Sequence, residues 1–219
     1  KIFTMRSLSV PRLLFVIVLF FSVHFGATAQ KQVAASSSEI LHAMKRLNVL
    51  GTVIYIAAHP DDENTRLLAY MARDRNYKTA YLAMTRGDGG QNLIGDEQGI
   101  ELGLIRTQEL LAARRVDGAE QFFTRAYDFG FSKRTEEALT MWDKQKVLAD
   151  AVWVIRNFKP DVIITRFPED SRAGHGHHSG SAVIAREAFV AAADPKMFPE
   201  QFKSGVGPWK AKRIMWNTF

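Results

Sequence analysis

Five short runs of apolar, largely β-branched or aromatic residues are set apart by helical patterns: Thr52-Val53-Ile54-Tyr55-Ile56-Ala57-Ala58, Ala80-Tyr81-Leu82-Ala83-Met84, Gln121-Phe122-Phe123-Thr124, Val162-Ile163-Ile164-Thr165 and Arg213-Ile214-Met215-Trp216. A run of this kind, with little polar alternation, is what a strand buried on both faces of a parallel sheet requires. The stretches between predict helices over about 63–75, 101–117, 136–157 and 178–192. In the third, Leu148, Val152 and Ile155 recur at i, i+4 and i+7 as a core-facing stripe, and Pro160 ends it. This alternation predicts an α/β fold: a three-layer, Rossmann-like, mostly parallel sheet with helices on both faces. Ligands of such sheets bind beyond the carboxyl ends of the strands, so the residues just after each strand carry the functional weight.

The first 29 residues read as an address. Arg6 and Arg12 precede the apolar run from Leu13 to Val23, and Ala27-Thr28-Ala29 follows, which are the three parts of a secretory signal peptide. The run of 11 residues is short of the roughly 20 that span a bilayer. Cleavage and export to the periplasm or the extracellular space are therefore expected, with no stable membrane anchor afterwards. The chain has no cysteine, which excludes lipid attachment after the leader, disulfides, cysteine zinc sites and a thiol nucleophile. Residues 30–48 read as a tether and a short lead-in helix, and residues 49–219 as the folded domain. Opening on Lys1 and ending on Phe219 beside a predicted strand, the chain reads as a piece of a longer protein. Its formal charge of +6 does not point to nucleic acid. Of 29 basic residues three lie in the leader, leaving 26 against 23 acidic ones, and no basic run interleaves with aromatics. The sequence leaves the oligomeric state open.

The chemistry concentrates in two turns. The first strand runs into His59-Pro60-Asp61-Asp62-Glu63, and the fourth is followed by Phe167-Pro168-Glu169-Asp170 and then Gly174-His175-Gly176-His177-His178. No Gly-x-Gly-x-x-Gly opens the helix after the first strand, which argues against a dinucleotide. Of six histidines His24 lies in the leader, and four of the other five fall in these two turns. The first and fourth strands are neighbours at the switch point of the common doubly wound orders, so the turns should meet in space. Imidazole and carboxylate together are the usual ligands of a catalytic zinc, which keeps three protein ligands and one open position. One His-rich turn alone reads as a hydrated loop; two that converge do not.

Ala58-His59-Pro60-Asp61-Asp62-Glu63 resembles the signature of the PIG-L/LmbE-like deacetylases, metal-dependent enzymes that remove acetyl from N-acetylglucosaminyl compounds. The resemblance covers about residues 50–219 and includes the Gly-His-x-x-His turn after the fourth strand. It implies one zinc per chain on His59, Asp62 and His178, Asp61 as general base, and His175 as oxyanion stabiliser or acid. It also implies an N-acetyl amino-sugar substrate, with Arg106 and Asp128 as substrate contacts. The family pattern is Gly-His-Pro-Asp-His, so Gly176 and His177 depart from it. The lost carboxylate normally supports the catalytic histidine, and His177 stands either behind the ligands or as an alternative one.

These residue types suit amide hydrolysis. Zinc brings the pKa of bound water from 15.7 towards about 7, Asp61 can take its proton, and a protonated His175 would stabilise the oxyanion. Whether Asp61 or His175 protonates the leaving amine stays open. The glycine-rich segment Thr85–Asn92 reads as a flap over the substrate or as an ordinary surface loop. Arg106 could instead pair with Glu109 on its own helix, and Asp128 could be a turn former. Glu63 reads as an acid at a helix N-terminus, and Trp142, Trp153 and Trp209 as packing or surface aromatics. Two rival functions remain: a metal-dependent hydrolase of another ester or amide, including a phosphoesterase for which Arg166 and Arg172 would be the basic contacts, and a non-catalytic carbohydrate-binding module.

Overall fold

The computed structural model describes residues 35–218. The expected leader and most of the expected tether lie outside the described residues. Among those described, no helix is long and apolar enough to cross a membrane. Helix α1, Ser37–Arg46, opens with a reciprocal cap, the Ser36 hydroxyl accepting from Glu39 N–H and the Glu39 carboxylate from Ser36 N–H.

The remaining elements are β1 (Thr52–Ala57), α2 (Thr65–Ala69) running into a π turn (Tyr70–Asp74), β2 (Lys78–Ala83), α3 (Ile100–Asp117), β3 (Glu120–Phe123), α4 (Thr135–Met141), α5 (Lys144–Phe158), β4 (Val162–Thr165), α6 (Gly176–Ala191) and β5 (Arg213–Trp216). All four strand pairings are parallel, in the order β3-β2-β1-β4-β5. Side chains of β1 and β2 alternate between two cores, as the period of two requires. Ile54, Ile56, Ala80 and Leu82 pack with Val152 and Ile155 of α5 and Ile184 of α6. Val53, Tyr55, Ala57, Tyr81 and Ala83 pack with Leu68, Met71 and Leu110 from α2, the π turn and α3. These are the expected three layers.

Two helix predictions need correction. The stretch 136–157 is two helices, not one, because Asp143 adopts a left-handed φ of 55° after the buried Trp142, whose indole N–H is drawn to Tyr127 O at 2.9 Å. The last long helix begins at Gly176 rather than 178, so His177 and His178 already belong to its first turn.

The chain leaves β1 towards β2 on one side, while β4 lies on the other, with Ile56 facing Thr165. The crevice beyond their carboxyl ends is the switch point.

Candidate active site

β1 positions the first half of the site. Met84 N–H and Thr85 N–H hold Ala57 O and Ala58 O at 2.9 and 2.8 Å, fixing where the chain emerges. The Tyr81 hydroxyl then donates to His59 O, and His59 N–H donates to Asp62 Oδ2 at 2.7 Å. Asp61 takes a φ of 96°, uncommon for a residue with a Cβ. Its N–H is held by Glu63 Oε2 at 3.0 Å, and Glu63 Oε1 meets Arg114 at 3.1 Å. Arg114 also contacts Asp117 at 2.6 Å, and all three of these side chains are buried. Glu63 is thus more than a helix-terminal acid: it links a buried ion network to the backbone of Asp61.

α6 positions the second half. His175 is its N-cap, with Nδ1 accepting from His177 N–H at 3.0 Å and standing 3.2 Å from Ser132 Oγ. Gly176 N–H donates to Ser132 O at 2.8 Å, and a Cβ on Gly176 would run into the Arg134 carbonyl. Proline, which the family pattern has here, could not donate that hydrogen bond and would bring the Cβ that Gly176 lacks. His178 donates from Nδ1 to Ala173 O at 3.0 Å, its ring lies flat on Phe167 at 3.8 Å, and its Nε2 stands 3.5 Å from Asp62 Oδ1. His59 Nδ1 is 3.2 Å from Asp62 Oδ2.

Donor atoms of His59, Asp62 and His178 therefore lie within 4.8 Å of one another. The set fits a divalent ion: one carboxylate stands between two imidazoles, and the carbonyl on His178 Nδ1 fixes the proton away from Nε2. Burial works against ionisation of Asp62, but the hydrogen bond and charge of His59 outweigh it and hold the carboxyl below its ordinary range. His59, His175 and His177 form a second such grouping, without a carboxylate. His177 is fully buried there, with Nδ1 2.9 Å from His59 Nε2.

Above these groups opens a cleft of about 1160 Å³ lined by His59, Asp61, Asp62, His175 and His178, by Gly89–Gly95, and by Arg106, Asp128 and Phe131. The structure thus gathers all seven residues singled out in the sequence. Arg106 does not pair with Glu109; it reaches Asp61 Oδ2 at 2.9 Å and Pro60 O at 2.6 Å. Asp128 is buried, accepts from Gly130 N–H at 2.8 Å and lies 3.8 Å from His59 Nε2. Burial is also the main reason its carboxyl titrates above the ordinary range. The glycine segment forms a wall of the cleft, and Gly87, at φ 72°, leaves room for the Arg106 guanidinium.

His175 differs from expectation in its charge. Burial, then the neighbouring His178 and His59, push it down to about 4, so it is a neutral imidazole at pH 7. With Nδ1 accepting from the backbone, its proton sits on Nε2. It can donate a hydrogen bond but is not the imidazolium first expected. Neither Arg166 nor Arg172 lines the cleft, and Arg172 is tied to Asp170 at 2.7 Å.

Several site residues escaped the sequence reading: Arg114 and Asp117, Ser132 beneath His175, and the aromatic walls of His177, Trp142 at 4.9 Å and Phe129 at 4.3 Å. For Arg114 a signal existed. Leu110, Arg114 and Asp117 share one helix face, and Leu110 faces the core.

A parallel three-layer α/β domain with a His/Asp cluster able to hold a divalent ion at its switch point is the class of protein that fold and site define. Within that class the chain belongs to the PIG-L family: residues 54–189 match the family described as "PIG-L: GlcNAc-PI de-N-acetylase". The chain is 30% identical to a 1D-myo-inositol 2-acetamido-2-deoxy-alpha-D-glucopyranoside deacetylase of Geodermatophilus obscurus, over 75% of this chain and 60% of that one. It is also 30% identical to a mycothiol S-conjugate amidase of Streptomyces coelicolor, over 66% and 54%. It therefore spans about 60% or less of the length of these curated relatives. The fold is similar to that of N,N'-diacetylchitobiose deacetylase from Pyrococcus horikoshii, with a TM-score of 0.60 at 18% identity, covering 84% of this chain and 70% of that chain.

Proposed function

We propose that this chain carries the active centre of a zinc-dependent deacetylase that hydrolyses the N-acetyl group of an N-acetylglucosaminyl-type amino sugar. The observation that carries this reading is the convergence of His59, Asp62 and His178 on one cleft together with Asp61 and His175. Its relatives' names support the choice of an amide bond.

His59, Asp62 and His178 would hold the metal, which supplies Lewis-acid activation of water and of the acetyl carbonyl. Asp61, next to Asp62 yet directed at Arg106, is the candidate base, because its carboxylate is the exposed one of the pair. The Arg106–Asp61 ion pair holds Oδ2 and lowers the basicity of the carboxylate. A sugar oxygen arriving at Arg106 would compete for the guanidinium and so raise the basicity of Asp61. His175 donates from Nε2 to the developing oxyanion as a neutral group, which requires no change of its charge at pH 7. Asp128, in the cleft wall, would accept from a sugar hydroxyl.

The test is a screen of zinc-loaded protein against N-acetylated amino sugars, following free amine and acetate together. Acetate release in step with amine supports the reading. Hydrolysis of other esters or amides with no acetate from any amino sugar would favour the rival hydrolase, and sugar binding without turnover the binding module.

A further inference from the structure

His177 stands where the family pattern has aspartate, and its Nδ1 is directed at His59 in the turn after β1. Nδ1 of His177 is 2.9 Å from His59 Nε2, while the other His59 nitrogen, Nδ1, faces Asp62 Oδ2 at 3.2 Å. A second candidate partner for His59 Nε2, Asp128 Oδ2, is 3.8 Å away, beyond hydrogen-bond reach. The same carboxylate's Oδ1 lies 3.7 Å from His177 Nδ1. His178 shows the matching arrangement: one nitrogen directed at Asp62, the other donating to a protein oxygen, Ala173 O. A ligating imidazole needs such a partner on its far nitrogen to fix its tautomer and ring plane.

We propose that His177 is a positioning residue that accepts the His59 Nε2 proton on its own Nδ1, and so presents the His59 Nδ1 lone pair towards Asp62. The assignment rests in part on the metal reading above. Two features make the imidazole of His177 rigid enough for the task. Its backbone N–H is held by Ser132 Oγ at 2.9 Å and His175 Nδ1 at 3.0 Å. Its ring is fully buried between Trp142, tilted 30° to it, and Phe129, edge-on at 85°. With Nδ1 an acceptor, the His177 proton belongs on Nε2, a buried atom with no hydrogen-bond partner among the described residues. That orphaned N–H distinguishes the site from one closed by a carboxylate, which accepts without carrying a proton.

Two measurements on the full chain test this. In zinc-loaded protein labelled with ¹⁵N-histidine, His177 should show an unprotonated Nδ1 and a protonated Nε2, and His59 a protonated Nε2. A protonated His177 Nδ1 in that protein overturns the proposal. Zinc affinity, read by chelator competition, should then fall about 10–100-fold in His177→Leu, which keeps apolar volume but removes the acceptor. His177→Asn, whose amide oxygen can replace Nδ1, should remain within about 3-fold of the parent on the same scale. An unchanged affinity in His177→Leu, or a loss in His177→Asn equal to that in His177→Leu, overturns the proposal, the second by reducing His177 to packing. A parent protein whose zinc uptake is untouched by His59→Ala and His178→Ala sinks the metal reading instead, and the nitrogen shifts still decide the pairing.

Discussion

Replacing Arg114 by methionine is the sharpest test of how the turn that carries Asp61 is held. The guanidinium lies 3.1 Å from Glu63 and 2.6 Å from Asp117, with side-chain exposures of 4%, 5% and 7% for the three residues. It also reaches Gln121 Oε1 at 3.1 Å and stacks over the Tyr81 ring. At these exposures the ion pairs are barely screened by solvent. Methionine fills much of the volume but leaves two buried carboxylates facing each other without a cation. Breaking a buried pair in this way costs about 3–5 kcal/mol. A domain of this size loses about 2–4 °C of Tm per kcal/mol, so the expected drop is roughly 6–20 °C.

The effect should reach Asp61, because Glu63 Oε2 holds the Asp61 N–H in its left-handed conformation. Glu63→Gln keeps an oxygen for that N–H and removes one of the stranded charges. Added to Arg114→Met it should therefore restore part of the lost stability, a coupling of about 1–3 kcal/mol in a double-mutant cycle. Thermal melts of the four proteins at pH 7, with zinc content measured alongside, supply the numbers. A drop below about 3 °C, or strictly additive effects of the two substitutions, would show that the network does not support the turn.

The other expectations concern the cleft and the chain's start. Asp61→Asn should keep metal at the parent stoichiometry and lower kcat by about 100-fold or more, and near-parental turnover would reassign the base. His175→Asn keeps an N-cap acceptor for His177 N–H but lacks the Nε2 donor, so its Tm should hold while kcat falls on the order of 100-fold; intact turnover would remove His175 from oxyanion stabilisation. Gly176→Ala should cost about 1–3 kcal/mol because the new Cβ meets the Arg134 carbonyl, and an unchanged denaturation midpoint would mean that the segment yields freely. N-terminal sequencing of exported protein should begin at Gln30, and material that still carries Arg12 would argue for retention of the leader.

Much of the fold was legible because its signals are local. The runs of β1, β2 and β4 are apolar on both faces, and the structure buries them so. That β1 and β4 would lie side by side followed from the common doubly wound orders, not from any one residue, and the structure pairs them. The break at Asp143 was not legible, since no glycine or proline marks it; it depends on where the Trp142 indole finds its acceptor, in a segment that precedes α4. Glu63 was misread for the same reason. Its partner Arg114 lies 51 positions away, and only the packing of α3 on α2 brings them together.

The replacements at 176 and 177 in the family turn are one structural solution. Gly176 lets the start of α6 lie directly against Ser132 and Arg134, where a Cβ or a missing N–H would hold it off. Seated there, the next residue has its backbone N–H on Ser132 Oγ and its side chain aimed into the space between Trp142 and Phe129. An imidazole at 177 fills that space and reaches His59. Aspartate, shorter and charged, would leave part of this aromatic cavity empty and would put a second carboxylate beside Asp128, which already stands 3.7 Å from the His177 ring nitrogen. A histidine in place of the aspartate removes that repulsion while keeping an acceptor under His59, and the glycine before it is what makes the placement possible.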